Sequence, residues 1–128
     1  MEKRVAQLWA RARVWLPGKL DACPPPIRLN NRLTRTMGQA FSDRHNPRYG
    51  ICLSAKLMNT FGYGGFHYET IPHEVAHIVA DHALGSKGHD IPWRCVMGFY
   101  GLPEAWRCWS EARMLEWQEL FKAEFNVR

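Results

Sequence analysis

Apolar residues near the N-terminus fall at Val5, Leu8, Trp9, Ala12 and Leu16, one stripe at helical spacing. The pattern predicts an amphipathic helix over residues 1–16, stopped by Pro17-Gly18. Cys23-Pro24-Pro25-Pro26 reads as an extended connector, because successive prolines preclude helix. The period then shortens. Residues 27–33, 37–42 and 49–53 read as three strands, the last two forming a hairpin across the turn-rich Ser42-Asp43-Arg44-His45-Asn46-Pro47. Residues 60–65 hold three glycines and predict a loop or a weak helix start. Helical spacing returns over 66–84 and ends at Gly85; a shorter helical piece over 93–100 is closed by Gly101. Pro103 suits the first turn of a final helix reaching about Phe125, with the stripe Trp106, Ser110, Met114, Trp117, Phe121 and Phe125. That helix either packs on the domain or offers a partner-binding surface.

These elements predict an α+β domain: an N-terminal helix, a short three-stranded sheet, a central helix and C-terminal helices. The chain of 128 residues fits one domain over 1–128, with a core at about 25–100, an N-terminal helical region in 1–20 and a C-terminal helix in 103–126. No run approaches the roughly 18–20 apolar residues of a membrane span. The N-terminus lacks an uninterrupted apolar stretch, which argues against a secretory signal and for a cytoplasmic address. Cys23, Cys52, Cys95 and Cys108 form no C-x-x-C pair, so a Cys-ligated zinc ribbon is not expected, and reduced, mostly buried thiols are.

Charge is unevenly spread. Residues 1–50 carry ten Lys/Arg against three acids, a net +7, whereas the remainder carries seven against nine, a net −2. The asymmetry fits an anionic partner, most commonly nucleic acid, or a merely solvated basic face. Arg4, Arg11, Arg13, Arg28, Arg32, Arg35, Arg44 and Arg48 are the candidate contacts. Trp9 and Trp15 are either stacking platforms for single strands or core residues.

The candidate chemistry sits in His73-Glu74-Val75-Ala76-His77, an H-E-x-x-H motif within the predicted central helix. Four residues advance a helix by about 400°, which leaves both imidazoles on nearly one face, one turn apart. Both can reach one metal ion, and Glu74 lies beside that ion rather than on it, placed to take a proton from a water there. A catalytic zinc site needs a third protein ligand. His89 follows His77 by twelve residues, past a glycine-flanked turn, and is the leading choice; Glu104 and Asp90 are alternatives. His82 points about 140° away from His77 and reads as a surface or packing residue, like His45 and His67. Asp81 either supports the site from behind the ligands or is an exposed cap. Zinc suits imidazole ligands with an open position, although affinity order alone does not exclude nickel, cobalt or copper.

The chain resembles a SprT-like metallopeptidase domain. Thr70-Ile71-Pro72-His73-Glu74-Val75-Ala76-His77 matches the family's proline-preceded active-site helix, and His89 with Trp93 four residues later resembles its third ligand and next helix. Gly38-Gln39-Ala40 and Tyr49-Gly50-Ile51-Cys52-Leu53-Ser54 resemble its paired strands. The resemblance covers roughly residues 25–100. It implies one zinc ion on His73, His77 and His89, Glu74 as catalytic base, and peptidase activity on DNA-associated or DNA-crosslinked proteins. Many members add a Cys-rich zinc ribbon or further DNA-binding regions, which the Trp-rich C-terminal segment does not match.

The expected activity is therefore that of a zinc endopeptidase, a monomer with protein substrates and DNA as partners. An extended substrate could add to the sheet edge. The oxyanion needs a second stabiliser, for which Tyr63, Tyr68, Tyr100 and Arg94 are the candidates nearby in sequence. The rival reading is a metal-stabilised DNA- or protein-binding module with little turnover. An intact Glu74 argues against it, since a structural site needs no base.

Overall fold

The N-terminal stripe becomes α1, Glu2–Trp15, whose Val5, Leu8, Trp9 and Ala12 are buried. The computed structural model describes residues 1–102 and 109–126. Trp9 belongs to the core, its indole N–H donating to the Asp21 carbonyl at 3.0 Å, so it is not a stacking platform. Trp15 stacks on Phe99 with the ring planes 6° apart.

Three strands follow: β1 (Ile27–Asn30), β2 (Gly38–Phe41) and β3 (Gly50–Ser54), in the order β1-β3-β2. β2 and β3 form the expected antiparallel hairpin, while β1 runs parallel to β3. β3 is central and buried throughout. Side chains alternate across a strand, so Ile51 and Leu53 enter the core while Arg28, Cys52 and Gln39 form a cross-strand row on the other face.

A helix the reading did not anticipate, α2 (Ala55–Phe61), leaves β3 directly; the Ser54 hydroxyl caps it by accepting the Leu57 N–H at 3.1 Å. Residues 66–84 are not one continuous helix. A π turn, Phe66–Thr70, precedes α3, Ile71–Leu84. The change falls where Pro72 enters the first turn and cannot donate an N–H. Gly85 closes α3 in the left-handed conformation, as its position predicts. Ile71, Val75, Ala76, Ile78, Val79 and Ala80 are inaccessible, which makes α3 the centre of the domain. α4 spans Ile91–Phe99, two residues earlier than expected, because the Asp90 side chain caps it.

The last helix also differs from expectation. α5 is Glu111–Phe125, started by the Ser110 hydroxyl accepting the Arg113 N–H, and residues 109–110 are not helical. The predicted start at Pro103, and Trp106 of its stripe, lie outside the described residues. α5 packs on the domain. At Gly64 and Gly65 a Cβ would overlap Trp117, Gln118 and Met114, so those glycines admit α5 rather than merely forming a loop. The thiols are a further correction: Cys23 and Cys95 are exposed and Cys52 alone is buried among the described cysteines, all three free. Among the described residues, no helix is long and apolar enough to cross a membrane.

Candidate metal centre

α3 presents His73 and His77 one turn apart, and the turn after Gly85 brings His89 back over them. Their Nε2 atoms form a near-equilateral triangle with sides of 3.3, 3.0 and 3.3 Å. Bonds of about 2.0–2.1 Å in a tetrahedral zinc site require donors about 3.3 Å apart, so the three imidazoles fit one ion. Among the described residues these three form the group able to hold a metal.

The turn carrying His89 is pinned. Ser86 donates to the Asp90 carboxylate, which also accepts the Trp93 N–H, so Asp90 is a helix cap rather than a ligand. Glu104, the other alternative, lies outside the described residues. Trp93 is fully buried and touches every member of the triad, with ring centroids 5.0 Å from His73, 5.2 Å from His77 and 4.4 Å from His89. Its indole N–H points at the His73 carbonyl at 3.5 Å. The family resemblance flagged Trp93; its position as the wall behind three imidazoles needed the fold.

Glu74 is 5% exposed and places Oε1 4.0 Å from His73 Nε2. It lines a cleft of about 290 Å³ with His77, Gln39, Ala40, Ser42, Ser86 and Lys87. Burial pushes the Glu74 carboxyl up to about 8. Burial, then the neighbouring His73 and His89, lower His77 to about 3, which keeps its imidazole in the neutral form that binds metals.

The cleft brings in residues that the motif gave no reason to choose. Asp81 takes hydrogen bonds from Ser42 on the β2 side and from Lys87 at 2.9 Å. Burial raises its pKa, but those bonds and the Lys87 charge more than offset this and hold it below the ordinary carboxylate value. Asp81 thus braces the strand and the turn that form the cleft walls. It is neither an exposed cap nor a group bonded to a ligand ring.

None of the four expected oxyanion stabilisers lines this cleft. Tyr100 donates to the Leu8 carbonyl at 2.8 Å, and burial raises its pKa. Tyr68 bonds Glu124 and stacks on Trp117; burial, then Glu124, push it up to about 12. Tyr63 packs on His67 and Phe121, its pKa raised by burial. Arg94 has a buried Nε with no hydrogen-bond partner among the described residues.

His82 is a packing residue, as expected: its ring stacks on Tyr49 and its Nε2 lies 2.6 Å from the Ser42 carbonyl. His67 packs among Tyr63, Phe121 and Phe125, and burial followed by Arg4 lowers it to about 4. His45 is exposed.

A helix bearing two imidazoles, a third returning from the next turn, and a carboxyl between helix and sheet edge make an α+β domain with three side chains that could hold a metal ion. A model of the SprT-like family matches residues 19–102, and the chain belongs to that family. Searches of curated proteins and of solved structures return no significant match.

Proposed function

We propose that this SprT-like domain is a zinc-dependent endopeptidase acting on proteins held on DNA. The triangle of Nε2 atoms beside Glu74 carries the reading. His73, His77 and His89 are the proposed ligands, and three neutral imidazoles with a fourth open position favour zinc over harder ions. Bound there, zinc supplies Lewis acidity toward a water and a peptide carbonyl.

The protein's own groups do the rest. Glu74, beside rather than within the ligand set, accepts the water's proton at a carboxylate oxygen and returns it to the leaving amine. Trp93 closes the back of the triad and excludes water from that side. β2 lies at the edge of the sheet, so its outer backbone groups can pair with an extended substrate, and the same strand supplies Gln39 and Ala40 to the cleft, with Ser42 adjoining.

Location provides specificity in this account. The basic first half holds the domain to DNA, and proteins on that DNA then meet the cleft at high effective concentration. The test compares wild type with Glu74→Gln on a DNA-bound protein, with and without DNA, while zinc content is measured. Cleavage lost with zinc retained supports the peptidase. A wild type that binds zinc and DNA but cleaves nothing under any DNA condition supports a binding module instead.

A further inference from the structure

The arginines available for that DNA contact do not form one surface. Arg4 is half-buried and donates from Nε to the His67 carbonyl at 3.0 Å. Arg11 reaches the Phe99 carbonyl and lies against the Phe99 and Tyr100 rings. Arg44 pairs with Asp21 at 2.9 Å. These three are engaged within the fold.

Arg28 and Arg48 differ. One comes from β1 and the other from the segment just before β3, yet both bring their guanidinium over the ring of Phe41, the last residue of β2, at 5.9 and 6.0 Å. Phe41 shares its strand face with Gln39, and Arg28 lies in the cross-strand row of Gln39 and Cys52, so the cluster sits on the sheet face opposite Ile51 and Leu53. Neither arginine has an ion-pair partner among the described residues. Nearby acid is scarce: between residues 22 and 68 the basic side chains are Arg28, Arg32, Arg35, Arg44, Arg48 and Lys56, and Asp43 is the one acid. Arg32 and Arg35 are exposed in the loop joining β1 to β2.

We infer that this outer sheet face, centred on Arg28, Phe41 and Arg48 and flanked by Arg32 and Arg35, is where the phosphodiester backbone of DNA docks. The inference rests on the proposed action on DNA-held proteins and says which surface does the holding. A ring engaged by two guanidiniums orders them without neutralising them, which leaves planar N–H forks free for phosphate oxygens. Two like charges gathered at one ring, with no ion-pair partner among the described residues, are complementary to an anion. The position matters for function. β2 carries Phe41 on this face while its Gln39, Ala40 and the adjoining Ser42 line the cleft with Glu74 and His77. The strand that carries the proposed docking face thus also lines the cleft beside the metal site.

The test measures binding of the full chain to a short labelled DNA, single-stranded and duplex, across a salt series. Arg28→Ala with Arg48→Ala removes two phosphate contacts, lowering the salt slope by about 1.8 and weakening binding roughly 50-fold at about 0.1 M salt. Arg28→Lys with Arg48→Lys keeps the charge and stays within a few-fold of wild type. Arg11→Ala with Arg13→Ala stays within about two-fold. Cleavage of a peptide not attached to DNA is the same in every variant that folds. Unchanged affinity and slope in the sheet alanine pair overturn the assignment, as does an equal loss in the α1 pair. A lysine pair as weak as the alanine pair also overturns it, since lost packing would then be the cause. Absence of DNA binding by the wild type at low salt removes the docking face and the DNA-directed reading together, while peptide cleavage still judges the peptidase separately.

Discussion

α3 and α5 are helices of 14 and 15 residues, held by opposite kinds of force. α3 buries eight residues and sits at the centre of the core, so burial of apolar area fixes it. α5 buries Met114 alone and is tied down mainly by polar side chains. Arg113 forms a two-pronged ion pair with Glu69 at 2.6 and 2.6 Å, and the Trp117 indole N–H joins the same carboxylate at 2.9 Å. The Gln118 side chain accepts the Gly64 N–H at 2.7 Å, and Tyr68 bonds Glu124. All these partners lie within the segment just before α3. The difference teaches that the site's geometry comes from a hydrophobic centre, while α5 acts on that centre through the π turn that leads into it.

The sharpest break in the comparison comes from α3. Glu74→Gln is expected to lower kcat by about 10²- to 10⁴-fold, the usual contribution of a general base, with the melting temperature and metal content little changed. Single-turnover cleavage checks it, and retention of wild-type rate removes Glu74 from the chemistry.

α5 should give the reverse. Arg113→Met leaves Glu69, whose side chain is 7% exposed, without its ionic partner, and is expected to cost about 3–5 kcal/mol in denaturant unfolding. Metal bound per folded molecule should not change. Zinc lost in step with stability would show that the π turn sets the triad's geometry as well as its support.

Trp93 probes the boundary between the two regimes, being core residue and site wall at once. Trp93→Phe is expected to weaken metal affinity by about 10- to 100-fold, the range for groups that orient ligands. Competition with a chromophoric chelator measures it; an unchanged affinity would mean the indole packs without positioning.

The smallest effect concerns His67 in the α5 aromatic cluster. Its folded pKa of about 4 lies below the ordinary histidine value of about 6.5, so folding favours the neutral ring. Its contribution is complete above pH about 6.5, declines as pH falls toward 4, and is lost below that. His67→Phe should flatten the stability profile across that window, and a profile that keeps its slope would assign the decline to other groups.

The same contrast explains what the sequence disclosed. α3 was legible because its apolar spacing and its H-E-x-x-H both repeat at the helical period, and the glycine-flanked turn after it made His89 reachable. The strands and the hairpin were legible from short runs bounded by turn residues. α2 was not, since its seven residues follow β3 without a break and its start depends on one Ser54 hydroxyl. The break at residues 109–110 was not legible, because Ser110 sits on the predicted stripe yet supplies the cap of α5. Trp9 lay on the apolar stripe of α1, and its burial with Val5, Leu8 and Ala12 follows that stripe. Tyr63, Tyr68 and Tyr100 lie near the motif in sequence but turn toward α1 and α5. Gln39 and Ser42 reach the cleft through long-range contacts, while Lys87 comes from the turn after Gly85.

Zinc K-edge absorption on the loaded protein tests the central claim most directly, with His89→Ala measured beside the wild type. The account predicts one zinc per chain with three imidazole nitrogens at about 2.0–2.1 Å and one further light-atom ligand, and the loss of one imidazole shell in the variant. A sulfur shell, a fourth imidazole, or a spectrum unaltered by His89→Ala would contradict it.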